Sequence, residues 1–186
     1  MAKIYGNRLI LREYQKEDLE NIRKWCNDPE ITKNLSDIFL YPHSLKQSES
    51  FVQMMLDGSN SSIKGFIIAE KENGTYIGQI DLINIDWKNR TSLFGIVIGN
   101  KENHSKGYGQ EAINLLLKFA FEELNLHKLE LEVRDYNEKA YNCYKKCGFV
   151  EEGRKRENFY INGKYTDTIF MGILKKEYKS NVTAIS

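Results

Sequence analysis

The stretch Asn103-His104-Ser105-Lys106-Gly107-Tyr108-Gly109-Gln110-Glu111-Ala112 sets two closely spaced glycines, with histidine, serine and lysine, just ahead of an apolar helical pattern. Glycines let backbone amides approach a ligand, and the free amides and positive dipole end of a helix N-terminus suit a phosphate or pyrophosphate. Anion binding is the chemistry such a segment can do; a plain flexible turn accounts for the same letters equally well. Two known phosphate-binding patterns compete for it. A Walker loop needs glycine ahead of a lysine that is followed by serine or threonine, and here Lys106 precedes Gly107, so that assignment fails. The dinucleotide-binding fingerprint is met in letters by Gly107-x-Gly109-x-x-Ala112 with Asp135 downstream, but the polar stretch from Asn100 to Lys106 separates the first glycine from its strand. Cys143 and Cys147 share one helical face without further ligands, the pattern of core packing, so no metal is assigned. His43 and His127 fall in connecting segments without recognisable partners and receive no role.

The elements that must position this loop are legible from periodicity. Leu9 to Leu11 reads as a strand, and Leu19, Ile22, Trp25 and Cys26 recur at helical spacing until Pro29. Ser44 and Gln47 have capping-box spacing ahead of Val52, Met55 and Leu56, with Gly58 closing a second helix. Phe66 to Ala69, Tyr76 to Ile85 and Ser92 to Gly99 form an antiparallel meander, turned at Asn73-Gly74 and at Trp87 to Arg90. A helix is predicted over Gln110 to Leu124, followed by a strand in which Leu129, Leu131 and Val133 alternate with charged residues. Strand, helix and strand therefore make a crossover from Ser92 to Arg134. Glu138 to Cys147 reads as a helix ended by Gly148; strands follow from Phe149 and over Thr166 to Leu174, joined at Asn162-Gly163. The fold class is mixed α/β, with a mostly antiparallel sheet flanked by helices.

Composition bounds the rest. At 186 residues, with 41% hydrophobic residues and two prolines, the chain suits one globular domain, read as residues 1–178 with a frayed tail over 179–186. Twenty-seven basic residues against 26 acidic ones leave a net charge of +1, so no overall field draws nucleic acid or an anionic membrane. Three cysteines make no disulfide framework, and no signal peptide or membrane-spanning run is seen, so a cytoplasmic location is expected. A homo-oligomer is left open.

Two signatures in order make the chain resemble the GNAT superfamily of acetyl-CoA-dependent N-acetyltransferases. The first is Ser105-Lys106-Gly107-Tyr108-Gly109, with His104 where the family carries arginine or glutamine. The second is Asn137-Glu138-Lys139-Ala140 followed by Tyr144-Lys145-Lys146-Cys147-Gly148-Phe149. The opening Asn7 to Arg12, the stretch from Trp25 to Pro29 and the closing Asn162-Gly163-Lys164-Tyr165 are similar to the ribosomal-protein-alanine and spermidine acetyltransferase branch. The resemblance implies the acyl-CoA N-acyltransferase fold and acetyl-CoA as cosubstrate. It implies a coenzyme set of Ile96, Val97 and Ile98 along the strand, His104, Ser105, Lys106, Gly107, Tyr108, Gly109 and Gln110 in the loop, and Asn137, Tyr144 and Lys146 beyond.

An aliphatic amine, with a pKa near ~10, must lose a proton before it attacks a thioester, and the departing thiolate must be stabilised or protonated. The resemblance implies Tyr144 as the acid; its place on an apolar helical face equally fits a core tyrosine. Many relatives carry glutamate early in the strand before the loop, where this chain has Leu93. Asp81, a carboxylate inside an apolar strand, is the preferred substitute base, since burial there would raise its pKa toward a useful value. An ordinary hydrogen-bonded strand residue is the competing reading. The resemblance implies a primary amine as acceptor, a small polyamine-like molecule or a protein N-terminus, with 28–43 and 159–165 expected as its wall. An acidic excess at Asp28, Glu30 and Asp37 favours a polycation. The rival function is a noncatalytic acyl-CoA-binding module.

Overall fold

The computed structural model describes residues 3–178, so the tail expected over 179–186 lies outside the described residues. Strands β1 (Ile4–Tyr5) and β2 (Leu9–Arg12) lead into helices α1 (Asp18–Cys26), α2 (Pro29–Thr32) and α3 (Leu45–Asp57). Ser44 and Gln47 form the expected capping box on α3, and Gly58 closes that helix in the left-handed conformation, where a Cβ would be strained. The meander is β3 (Lys64–Glu70), β4 (Tyr76–Asp86) and β5 (Thr91–Ile98). Helix α4 (Tyr108–Lys118) crosses to β6 (Lys128–Arg134), and α5 (Glu138–Lys146) precedes the hairpin of β7 (Val150–Ile161) and β8 (Lys164–Leu174). Asn162 and Gly163 both have positive φ, 51° and 80°, as the tight turn between two paired strands requires.

Among the described residues, eight strands form one sheet in the order β1-β2-β3-β4-β5-β6-β8-β7, in which only the β5–β6 pair is parallel. Strand alternation divides the core in two. Leu9, Leu11, Phe66, Ile68, Ile80, Leu82 and Phe94 face Ala112, Ile113, Leu116 and Leu117 of α4. Ile10, Ile67, Ala69 and Val97 face Ile22 and Trp25 of α1 and Val52 of α3. The sheet is buried on both faces where helices cover it, whereas β7 at its edge is exposed and highly charged, which discourages pairing with another chain.

Several details differ from the sequence reading, among them the unforeseen β1 and α2. Helix α4 starts at Tyr108, two residues early, because Gly107 at φ +84° ends the loop in a left-handed turn that serves as its N-cap. Its final stretch, Phe119–Glu123, widens into a π-helical turn, and Phe119 packs edge-on against Phe66 at 5.3 Å between ring centroids. His43 does have partners. Its Nε2 contacts the Ile38 carbonyl at 2.8 Å, and the ring stacks on Phe39, pinning the turn ahead of α3. Among the described residues, no helix is long and apolar enough to cross a membrane.

Candidate active site

Pairing between β5 and β6 stops early. Only Thr91, Ser92 and Leu93 of β5 are in register with Lys128, Leu129 and Glu130 of β6; β5 then continues to Ile98 and β6 to Arg134 without pairing each other. Each strand stays bonded on its far side, β5 to β4 and β6 to β8, so the sheet parts into a V whose inner edges carry unpaired peptide groups. Ile96, Val97 and Ile98 lie on one arm of this V, opposite Ile80, Gln79 and Gly78 of β4. An extended amide-containing ligand can pair with that edge as a strand would.

The glycine loop stands at the open end. Ser105 and Gly107 both have positive φ, 61° and 84°, a combination that gathers successive amides into a concave nest. Among the described residues, the amides of Ser105, Lys106, Gly107, Tyr108, Gly109 and Gln110 donate to no protein acceptor, and the first intrahelical bond of α4 starts only at Glu111. These amides and the dipole of α4 form a cradle that fits a pyrophosphate. Lys106 is exposed beside it. His104 contributes differently from an arginine or glutamine: its Nε2 lies 3.0 Å from the Ile98 carbonyl, so the ring is tied back to the end of β5.

Arg8 braces the loop from the other end of the chain. Its Nη1 donates to the Lys106 carbonyl at 2.9 Å, its Nε pairs with Glu111 at 2.9 Å, and its guanidinium lies over the Tyr108 ring. Burial pushes the Glu111 carboxyl up, but the amides of Arg8 and Leu9 and the Arg8 guanidinium outweigh it and hold the group below its ordinary value. A Cβ on Gly107 would sit 3.2 Å from Arg8 Nη2 in a backbone conformation that side chains resist. Gly107→Val is therefore expected to weaken coenzyme A binding by about tenfold or more by titration calorimetry, given the ~1–3 kcal/mol strain of such a position. Unchanged affinity in a folded variant would remove the loop from the coenzyme site.

Asp81 and Tyr144 flank the V from opposite faces. Tyr144, on α5, packs edge-on against Phe94 of β5, with centroids 5.9 Å apart and planes at 87°, and against Phe149 at 6.1 Å. Its hydroxyl has no protein partner among the described residues. Burial, with Cys143 and Cys147 adding, raises this phenol well above its ordinary value, so it stays protonated and available as a donor. Asp81 is in register with Gly95, just beyond the last β5–β6 pair, and its carboxylate lies on the α1/α3 face. Tyr14 donates to Oδ1 at 2.8 Å and Gln79 donates to Oδ2 at 3.3 Å. Burial raises the Asp81 carboxyl to about 7, although Tyr14, Gln79 and the Phe66 backbone pull it down. Glycines flank it across the sheet: a Cβ at Gly65 would collide with Asp81 Oδ1, and Gly95 presents no side chain on the same face.

The remaining expected residues are placed as follows. Asn137 caps α5, its Oδ1 accepting from the Ala140 amide at 3.3 Å, and so stands at the end of the β6 arm. Gln110 lies in the first turn of α4, and Lys146 is exposed in the last turn of α5. The two segments expected to wall the acceptor both meet the β6 end: Tyr136 donates to the Lys33 carbonyl at 2.6 Å, and the Arg134 guanidinium lies 4.0 Å over the Phe159 ring. The acidic excess there needs correction. Asp28 pairs with Lys101 at 2.8 Å and Glu30 with Lys33 at 2.7 Å, so those charges are already matched within the chain. Arg8, Tyr14 and Gln79 carried no spacing signal as site residues, because their partners lie far away in sequence or on a face that the strand pattern leaves open.

A mixed sheet parted between two parallel strands does not bind a dinucleotide as a doubly wound parallel sheet does. A parted strand pair with free amides at its mouth can instead hold an extended ligand that carries a phosphate. The model of the acetyltransferase (GNAT) domain matches residues 8–150. Spermidine N(1)-acetyltransferase from Vibrio cholerae serotype O1 is 31% identical over 173 residues, 93% of this chain and 96% of that protein. The crystal structure of spermidine N-acetyltransferase from Vibrio cholerae in complex with CoA and spermine superposes with a TM-score of 0.82. It shares 34% identity over 92% of this chain and 98% of that one. A Bacillus subtilis chain, YdaF, provisionally named a ribosomal N-acetyltransferase, is 36% identical over 107 residues, 58% of each chain. The chain belongs to the GNAT family and is an acetyl-CoA-dependent N-acetyltransferase. The noncatalytic module is set aside by these relatives.

Proposed function

We propose that the chain acetylates a primary amine of a small polycation of the polyamine type by direct transfer within the parted sheet. The observation that carries the mechanism is the placement of Asp81 and Tyr144 on opposite faces of the split, next to Gly95 and Phe94. The inner edge of β5 along Ile96 to Ile98 and the loop amides hold the coenzyme, which brings its thioester carbonyl to the split. The amine arrives from the α1/α3 face and gives a proton to Asp81. Its lone pair then attacks the carbonyl carbon, the C–N bond forms, and the tetrahedral intermediate collapses with loss of the C–S bond. Tyr144 donates its hydroxyl proton to the departing sulfur, and the second proton that the acylated nitrogen sheds returns to the Tyr144 phenolate. The apolar surroundings that raise the phenol also raise the thiol, so the two stay matched as proton donor and acceptor.

The likeness to spermidine acetyltransferases supports the polyamine, and the matched charges at Asp28 and Glu30 add nothing to it. Residues 1–178 act as one domain in this reading, in the cytoplasm. A competition assay with acetyl-CoA and a mixture of spermidine, amino acids, an aminoglycoside and peptides of varied N-terminus, read by mass spectrometry, tests the acceptor. Acetylated spermidine as the dominant product is expected. Acetylation of peptides alone would overturn the polyamine and leave the acetyltransferase chemistry standing.

A further inference from the structure

Asp81 sits in a small polar network that is otherwise surrounded by apolar side chains. Tyr14, 4% exposed, lies on the loop between β2 and α1 and reaches across 67 residues of sequence to Oδ1 at 2.8 Å. That loop is held rigidly. Arg12 makes two bonds to Asp18, 2.8 and 2.7 Å, and the Gln15 amide donates to the same carboxylate at 2.8 Å, so the backbone closes around Tyr14. The Tyr14 ring is fixed edge-on against Phe51 of α3, with centroids 5.9 Å apart. Gln79, 7% exposed, donates its amide to Oδ2, while its own Oε1 is the one buried side-chain oxygen without a partner among the described residues.

That orphan acceptor is informative. A buried amide with half its capacity unmet destabilises a fold relative to an apolar residue of similar volume, so Gln79 is poorly explained by packing. What its amide does accomplish is to hold the second oxygen of Asp81. We infer that Tyr14 and Gln79 are positioning residues for acetyl transfer, each fixing one oxygen of the Asp81 carboxylate so that it meets the incoming amine in one orientation. This inference rests on Asp81 as the base.

Burial, with Asp81 adding, raises the Tyr14 phenol far above its ordinary value, so it remains a donor throughout the working range. The titratable groups gathered around Asp81 are Tyr14, Tyr76 at the start of β4, and Asp18, whose charge Arg12 already matches. From α3 the uncharged Met55 comes close to the same spot. Beyond Tyr14 a cavity of about 510 Å³ brings Glu13, Lys16, Glu17 and Lys64. Beside the Phe66 backbone, Tyr14 and Gln79 are thus the side-chain hydrogen-bond donors whose loss disfavours the ionised carboxylate.

The test compares the pH dependence of kcat/KM for Tyr14→Phe, Gln79→Leu, Asp81→Asn and the parent chain with one amine, so that titration of the amine is common to all. A base must be ionised, so activity falls as pH drops through its pKa, and loss of a donor moves that acidic limb upward. Tyr14→Phe keeps the ring against Phe51 and is expected to shift the limb up by about one pH unit, the scale of one hydrogen bond to a carboxylate. Gln79→Leu is expected to shift it in the same direction without lowering the melting temperature, because an orphan acceptor is removed with the amide. Unmoved limbs in both variants, with the limb absent in Asp81→Asn, would overturn the positioning roles while Asp81 stands as base. A limb retained in Asp81→Asn would instead overturn the base itself, and the inference with it.

Discussion

Asp81→Asn is expected to lower turnover about 100- to 10,000-fold, the usual contribution of a positioned general base, with little change in the affinity for coenzyme A. The change is nearly isosteric, and asparagine still accepts from Tyr14, so the fold should survive it. The binding cradle is formed by backbone amides of the loop and does not involve Asp81, which is why the loss should fall on kcat. Stability provides an independent check on the same group. The folded-state carboxyl is raised to about 7, above the ordinary ~4, so the folded chain holds this proton longer than the unfolded one does. Stability associated with Asp81 is therefore fully present below pH 4 and is lost as pH rises through 7. The melting temperature of Asp81→Asn relative to the parent should climb between pH 5 and pH 8. A flat difference, together with a near-normal rate, would return Asp81 to the role of an ordinary strand residue.

Tyr144→Phe removes one oxygen and keeps the ring contacts with Phe94 and Phe149, so a loss of rate reports chemistry more than packing. Turnover is expected to fall about 100-fold or more, with coenzyme A binding little altered. The leaving sulfur offers a sharper test. A thioester that releases a more acidic thiol needs less help from a proton donor, so the deficit of the variant should shrink along a series of acyl donors with increasingly acidic thiols. An equal deficit along the series would show that the hydroxyl acts through something other than the sulfur. A normal rate in a folded variant would place Tyr144 in the core alone.

Much of this architecture follows from local pattern. Gly107 and Gly109 ahead of Ala112, Ile113, Leu116 and Leu117 predict a helix N-terminus with free amides, and that is what the chain forms. Ser44 with Gln47, and Asn162 with Gly163, set a cap and a turn from chemistry within a few residues. Alternation in Lys128–Arg134 tells which side chains are buried, because strand geometry sends neighbours to opposite faces. Asp81 is suspect for the same reason, as a carboxylate within an apolar strand. Such signals work because capping, turning and alternation are decided over a handful of residues.

Other properties are set between residues that sequence keeps apart. Arg8 reaches the loop carbonyl of Lys106 because the start of α4 packs back against β2 through Glu111, and Lys101 cancels Asp28 where the segment after β5 meets the one after α1. The same folding lays Tyr14 beside Asp81 and leaves Gln79 with an unmatched oxygen. Where β5 and β6 cease to pair is likewise invisible in either strand, since each reads as a normal strand and each is bonded on its other side. The amino-acid sequence by itself determined most of the elements, the glycine-rich helix start and a carboxylate within an apolar strand, because these depend on short-range stereochemistry. Tertiary structure alone decided how those parts are opposed and which charges remain free, because electrostatic and hydrogen-bond partners are chosen by distance in space.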